Sequence, residues 1–262
     1  MLLEDKTAVI YAAGGAIGGA VARSLAREGA RLFLTGRDLA NVDAVAEEIV
    51  AAGGVAEAAR VDALDEKAVE DHLERVAGSG GGVDISFNAI GPGPAPERTP
   101  LTGLDADAFA RPIAFYTRSN FVTATAAVRH MSGRGSGVIV TLTAVPARTP
   151  APLVGGAAPA WAAVEAFSRA LALEAGPAGV RVVCLRAHAI PETPLIEANF
   201  ASASRAAGVT AAQWQARLEE GTLLKRLPTL AEVADTAAFV ASDRAGAMTA
   251  TIVNLSAGSV TD

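Results

Sequence analysis

Short runs of β-branched and aliphatic residues alternate along this chain with longer stretches in which apolar residues recur every three or four positions. The short runs at 7–11, 30–35, 56–62, 83–89, 137–143, 180–186 and 250–256 predict strands. The longer stretches at 17–28, 39–52, 66–76, 105–131, 160–175 and 230–242 predict helices. Within 160–175, Ala160, Val164, Phe167 and Leu171 form one stripe, while Glu165 and Arg169 sit four apart on another face. Strand and helix alternating at this rhythm predict an α/β fold: a single doubly wound parallel sheet of about seven strands, with right-handed crossovers and helices on both faces. No break in composition divides the chain, so one domain spanning 1–262 is expected. The proline-rich stretches 91–100 and 145–156 follow predicted strand ends, where open sheets bind ligands, and are read as active-site loops. Residues 191–227 carry helical patterns of their own around 195–203 and 211–220 and are read as a substrate lid.

Composition narrows the function classes. Of 262 residues, 51% are hydrophobic and 19% charged, which supplies the core of one large domain. The net charge is −6 and the 22 Lys and Arg are scattered, so no basic stripe is available for a phosphate backbone and no nucleic-acid partner is expected. Cys184 is the only cysteine and lies in an apolar run, which rules out a disulfide framework. Together with His72, His130 and His188 it makes no cluster of metal-ligand spacing, so no metal is expected. No apolar run reaches the roughly 18 residues of a membrane span, and a soluble, cytoplasmic protein is expected.

The first predicted strand runs into a glycine-rich turn, YAAGGAIGG, that opens an amphipathic helix. In such turns backbone amides and the helix N-terminus face a pyrophosphate, and glycine permits close approach. The next three predicted strands end at Gly36-Arg37, at Asp62 and at Asn88. That order of strand ends, continued to MTATIVNLSAG at 248–258, resembles the short-chain dehydrogenase/reductase superfamily over nearly the whole chain.

The resemblance implies a nicotinamide dinucleotide held at the strand ends. The family's turn T-G-x-x-x-G-x-G is here Tyr11 to Gly18, with alanine at 12 and 16, so Gly14, Gly15, Ile17 and Gly18 are the expected pyrophosphate cradle. Ala12 must then adopt a backbone angle open to a Cβ. Where an acidic residue would bind a ribose lacking a phosphate, this chain has Arg37, which suits the 2′-phosphate of NADP(H). By the same resemblance Asp62 and Ala63 contact the adenine, Asn88 and Ala89 lie beside the cofactor at the fourth strand end, and Thr193 matches the residue that binds the nicotinamide carboxamide.

The family's catalytic serine, tyrosine, lysine and asparagine fall on Ala144, Ala157, Trp161 and Tyr116. A phenol with pKa near 10 needs a neighbouring ammonium to work near neutral pH, and alanine and indole supply neither proton nor charge. The remaining candidates for catalysis are Tyr116, projecting into the hollow left by the two alanines, His188 near the nicotinamide end, and Thr143 at the end of the fifth strand. Trp161 is expected to pack against the strand ends. The leading expectation is an atypical NADP(H)-dependent oxidoreductase of a small, largely apolar substrate, forming a homo-oligomer. A cyclase, isomerase or lyase on the same fold, or a non-catalytic partner of an active homologue, are the alternatives the sequence leaves open.

Overall fold

The seven apolar runs become β1 (Thr7–Tyr11), β2 (Arg31–Gly36), β3 (Val55–Arg60), β4 (Ile85–Asn88), β5 (Gly137–Ala144), β6 (Val180–Ala187) and β7 (Thr251–Leu255). The computed structural model describes residues 1–91 and 99–261. Every neighbouring pair is parallel, and the order across the sheet is β3-β2-β1-β4-β5-β6-β7. The chain builds outward from β1 to β3, then returns to the centre at β4 and builds the other way. The crevice between β1 and β4 is therefore the switch point where such sheets take ligands.

Helices cover both faces: α1 (Ala16–Arg27), α2 (Leu39–Ala51), α3 (Glu66–Gly78), α4 (Ala106–Ser132), α5 (Ala157–Ala175), α6 (Pro194–Ala207), α7 (Ala211–Glu220) and α8 (Leu230–Ala241). This double cover explains why the central strands read as continuous apolar runs rather than as alternation. On one face Leu25 of α1, Ile49 of α2 and Val240 of α8 pack over Ile10, Leu34 and Val140. On the other, Leu73 of α3, Met131 of α4 and Leu171 of α5 pack over Val9, Phe33 and Ile139.

Most element ends fall within a few residues of expectation, and the departures have local causes. Helix α5 starts at Ala157, three residues before its predicted start, because Pro159 lies in the first turn, where a missing N–H leaves no hydrogen bond unmade. Strand β4 starts at Ile85 rather than 83, since the Asp84 carboxylate turns to accept the Thr7 N–H at 2.8 Å. In the excursion read as a lid, α7 opens with a reciprocal capping box between Thr210 and Gln213. Of the loop read at 91–100, residues 92–98 lie outside the described residues.

Glu165 departs from expectation more seriously. It does not form a surface pair with Arg169; it is 4% exposed and makes a two-pronged bond to Arg186 of β6, Nε to Oε1 and Nη2 to Oε2, both at 2.7 Å.

One buried histidine makes stability depend on pH. His72 of α3 is 3% exposed beside Phe33, and among the described residues neither ring nitrogen has a hydrogen-bond partner. Burial, and secondarily the charge of Arg75, push its pKa down to about 4. The unfolded chain takes up a proton near pH 6.5 that the folded chain refuses, so stability is full above that pH and falls as pH drops toward 4. The loss from this residue should reach about 3 kcal/mol at the acid end. Urea denaturation at pH 7 and pH 4.5 should show a smaller pH effect in His72→Leu than in the unmodified chain; equal pH effects in the two would rule out this assignment.

Candidate dinucleotide and substrate site

Strand β1 passes into α1 through the turn Ala12–Gly15, tied down by Ala13 N–H to Thr35 O at 2.9 Å and Gly15 N–H to Ala12 O at 3.1 Å. A Cβ on Gly18 would run into the Ala12 carbonyl, so glycine is required there for α1 to sit this close to the turn. A Cβ on Gly14 would lie 2.8 Å from Asn41 Cβ, which puts the turn directly against the first turn of α2. Gly15 caps α1 with no side-chain hydrogen bond, leaving the leading amides for solvent or an anion. Ile17 packs beside Leu142, Ile190 and Leu255, joining the turn to the ends of β5, β6 and β7.

Ala12 itself sits at φ 60°, in the left-handed region where a Cβ costs about 1–2 kcal/mol. That angle is open to a Cβ, though at this cost. Ala12→Gly should raise stability by about 0.5–1 kcal/mol, the relieved strain less the added chain entropy of glycine; an unchanged melting temperature would count against strain at this position.

At the end of β2, Arg37 is exposed, while the Asp38 carboxylate caps α2 through Ala40 N–H at 3.1 Å and holds Asn41 Nδ2 at 2.9 Å. Beyond β3, Asp62 is exposed with Oδ1 accepting the Leu64 N–H at 3.0 Å, and Ala63 is buried. At the end of β4 the Asn88 amide donates to Thr123 Oγ1 at 2.9 Å and Ser119 O at 3.3 Å, and its oxygen accepts the Ile90 N–H at 2.9 Å. Asn88 thereby locks the strand end to α4, and Ala89 N–H continues the ladder to Tyr11 O at 3.1 Å.

The positions around the expected catalytic centre lie at the same end of the sheet. Ala144 ends β5, in register with Ala187, and Ala187 is in register with Leu255. Gly156, just before α5, passes so close to Phe109 O and Pro112 of α4 that no side chain fits, which fixes the first turn of α5 against α4. One turn along α5, Trp161 Nε1 donates to the Tyr116 hydroxyl at 3.0 Å, with the rings edge to face at 6.1 Å. Trp161 therefore packs on Tyr116 of α4, with Ile113, Ala160 and Val164 around the pair, rather than against the strand ends. Tyr116 is 4% exposed, and burial pushes its phenol pKa well above the ordinary value, opposed only in part by the Trp161 bond.

The remaining predicted residues fall in different settings. His188 follows β6, its backbone N–H donating to Leu255 O at 3.1 Å and its Nδ1 accepting the Ala189 N–H at 2.6 Å. That bond assigns the ring proton to Nε2, and burial lowers the pKa. Thr193 is buried ahead of α6, its hydroxyl donating to Ile190 O at 2.9 Å. Thr143 is 3% exposed with its hydroxyl on Glu165 Oε1 at 3.1 Å, so the expectation that it offers a hydroxyl to substrate is revised: it supports the buried pair. Sequence reasoning also missed the pairing of Glu165 with Arg186, since residues 21 apart in different elements carry no periodic signal.

A parallel sheet in this order, with a glycine-tight turn heading α1 at the switch point, defines a doubly wound, Rossmann-like α/β protein. Residues 12–259 match the family model described as enoyl-(acyl carrier protein) reductase, and the chain belongs to the short-chain dehydrogenase/reductase superfamily of oxidoreductases. It is 31% identical to cis-4-hydroxycyclohexanecarboxylate dehydrogenase of Sinomonas cyclohexanicum, over 97% of this chain and 96% of that one. A solved 7α-hydroxysteroid dehydrogenase, complexed with NADH and 7-oxo glycochenodeoxycholic acid, superposes with a TM-score of 0.86 at 26% identity, covering 99% of this chain and 96% of that one. A structure described as ribose-5-phosphate isomerase from Brucella melitensis 16M superposes with a TM-score of 0.84 at 26% identity, covering 98% and 93%. Among the described residues no helix is long and apolar enough to cross a membrane, and no group of His, Cys, Asp and Glu is arranged to hold a metal.

Proposed function

We propose that this chain is an NADP(H)-dependent oxidoreductase of a small, largely apolar organic substrate, working without the Tyr-Lys pair that its superfamily uses. The observation that carries the reading is Arg37, exposed at the end of β2 while the neighbouring Asp38 is engaged in capping α2. The cradle fits a dinucleotide: Gly14, Gly15, Ile17 and Gly18 would hold its pyrophosphate, Arg37 its 2′-phosphate, Asp62 and Ala63 its adenine. Asn88 and Ala89 would border it at β4, and Thr193 would meet its carboxamide. When bound, the cofactor supplies hydride chemistry.

The chain's own part is positioning and protons. Tyr116 and His188 are the groups proposed to donate to the substrate: a phenol kept neutral by burial, and an imidazole carrying its proton on Nε2. Neither is helped by an adjacent ammonium, so the reading favours an activated substrate, such as a conjugated enone or iminium, over a plain ketone. The apolar surface of α4 and α5, where the exposed ring of Phe121 lies 6.1 Å from that of Phe167, supports a homo-oligomer.

A non-redox isomerase, cyclase or lyase is the second reading. It is favoured by the Tyr116–Trp161 bond in place of a phenol beside a cation, and by the isomerase name carried by one structural neighbour.

Titration with both dinucleotides tests the first reading. NADPH should bind at least about tenfold more tightly than NADH, the worth of one charge-assisted bond, and Arg37→Ala should remove most of that margin. Equal affinities in the unmodified chain would overturn the cofactor assignment, and no binding of either would leave the second reading.

A further inference from the structure

We infer that Arg60 is the second half of a phosphate clamp, and that Arg37 and Arg60 together bind the 2′-phosphate of an adenosine ribose. The inference rests on the dinucleotide reading above and adds to it a residue that determines which dinucleotide is taken. Strands β2 and β3 pair Gly36 with Arg60, and the Val61 N–H donates to Gly36 O at 3.1 Å. Arg60 thus stands one strand spacing, about 4.8 Å, from the residue immediately before Arg37.

Alternation along β3 fixes its face. Ala56 and Ala58 pack into the core under α1 and α2, so Arg60, two residues further on, belongs to the α2 side of the sheet. That is the side on which Gly14 of the glycine-rich turn touches Asn41 of α2. The anion-ready start of α1, the first turn of α2 and the two arginines therefore border one corner of the molecule.

The two arginines at this corner are unpaired among the described residues. Both arginines are exposed, and among the described residues neither guanidinium has a hydrogen-bond or ion-pair partner. Nearby arginines are matched: Arg31 with Glu57 at 2.7 Å and Arg23 Nε with Glu48 at 2.8 Å. The acids closest in sequence are already engaged, Asp38 on Ala40 and Asn41, and Asp62 on Leu64. Two guanidiniums free of ion-pair partners at adjoining strand ends suit a phosphate monoester, whose oxygens accept from both forks at once. A single positive charge would suffice to attract an anion; two from adjacent strands select the dianion and fix its place on the ribose.

The test uses adenosine fragments and the intact chain. Affinities of 2′,5′-ADP, 3′,5′-ADP and 5′-AMP are measured by calorimetry for the unmodified protein, Arg37→Gln and Arg60→Gln. The expected result is a preference for 2′,5′-ADP over both other fragments, reduced about tenfold by each substitution while 5′-AMP binding stays unchanged. Unchanged 2′,5′-ADP affinity in Arg60→Gln, with the loss confined to Arg37→Gln, would overturn the role of Arg60 and leave the NADP(H) reading standing. Tighter binding of 3′,5′-ADP would overturn the 2′ assignment, and failure of all three fragments to bind would overturn the dinucleotide reading itself. Because 5′-AMP lacks the extra phosphate, its retained affinity also shows that the exposed Arg60→Gln variant is folded.

Discussion

Glu165→Leu should destabilise the protein by about 3–5 kcal/mol, the cost typical of stripping one partner from a buried ion pair. Arg186 is 3% exposed, and the substitution removes both carboxylate oxygens that its Nε and Nη2 reach at 2.7 Å. Thr143 loses its acceptor as well, leaving a second buried donor to be satisfied elsewhere. At a few degrees per kcal/mol for a chain of this size, the melting temperature should fall by roughly 10 °C. The double variant Glu165→Leu/Arg186→Met should recover a large part of that loss, because replacing a whole buried pair with apolar side chains is far less costly than breaking it. A melting temperature within about 2 °C of the unmodified protein for Glu165→Leu alone would show that the fork contributes little.

The same pair shows where sequence reading stops. Strands were legible because double burial writes continuous apolar runs, and helices because one packed face writes a period near 3.6. The order of strand ends then sufficed to place Gly18, Arg37 and Asn88 at one edge of the sheet. Glu165, however, lies at a spacing that a surface helix uses for ion pairs with Arg169, and nothing local distinguishes a solvated carboxylate from one sunk against β6. Only the contact between α5 and β6, remote in sequence, decides it. Arg60 was overlooked for a related reason: its significance comes from lying opposite Gly36 in the sheet, and register between β2 and β3 is a tertiary fact.

Trp161 illustrates a third case. An indole at the position of an expected lysine is visible in the sequence as a loss of charge, but its hydrogen-bond partner is not. The structure pairs it with Tyr116, the residue at the expected asparagine position, so two separate substitutions are joined by one bond. The two residues answer each other across α4 and α5: the phenol fills space beside the indole and accepts its N–H, and the indole covers a hydroxyl that burial would otherwise leave without a donor. Ala12 is the fourth case, an alanine held in a left-handed turn because Gly18 and α1 crowd against its carbonyl. Its type was plain in the sequence, yet the sign of its angle needed the packing of α1.

On the proposed reading, the pH dependence of turnover follows from the settings of Tyr116 and His188. Burial raises the Tyr116 pKa above its ordinary value near 10, and burial lowers that of His188 below its ordinary value near 6.5. Between about pH 7 and 10 the first therefore stays protonated and the second stays neutral, so neither changes charge. On the proposed reading, kcat/KM for an activated substrate such as a conjugated enone should be flat across that window. Tyr116→Phe should lower it by about 100-fold or more if the phenol is the donor, and His188→Gln should do so if the imidazole is, the range of general acid catalysis. Trp161→Phe separates donation from packing. It keeps an aromatic ring against Tyr116 but removes the N–H, so a donor role for the phenol predicts a fall in kcat with little change in melting temperature, whereas a purely structural role predicts the reverse. A profile that titrates between pH 7 and 9, or full activity in both Tyr116→Phe and His188→Gln, would remove these two residues from the chemistry and turn attention to the non-redox reading.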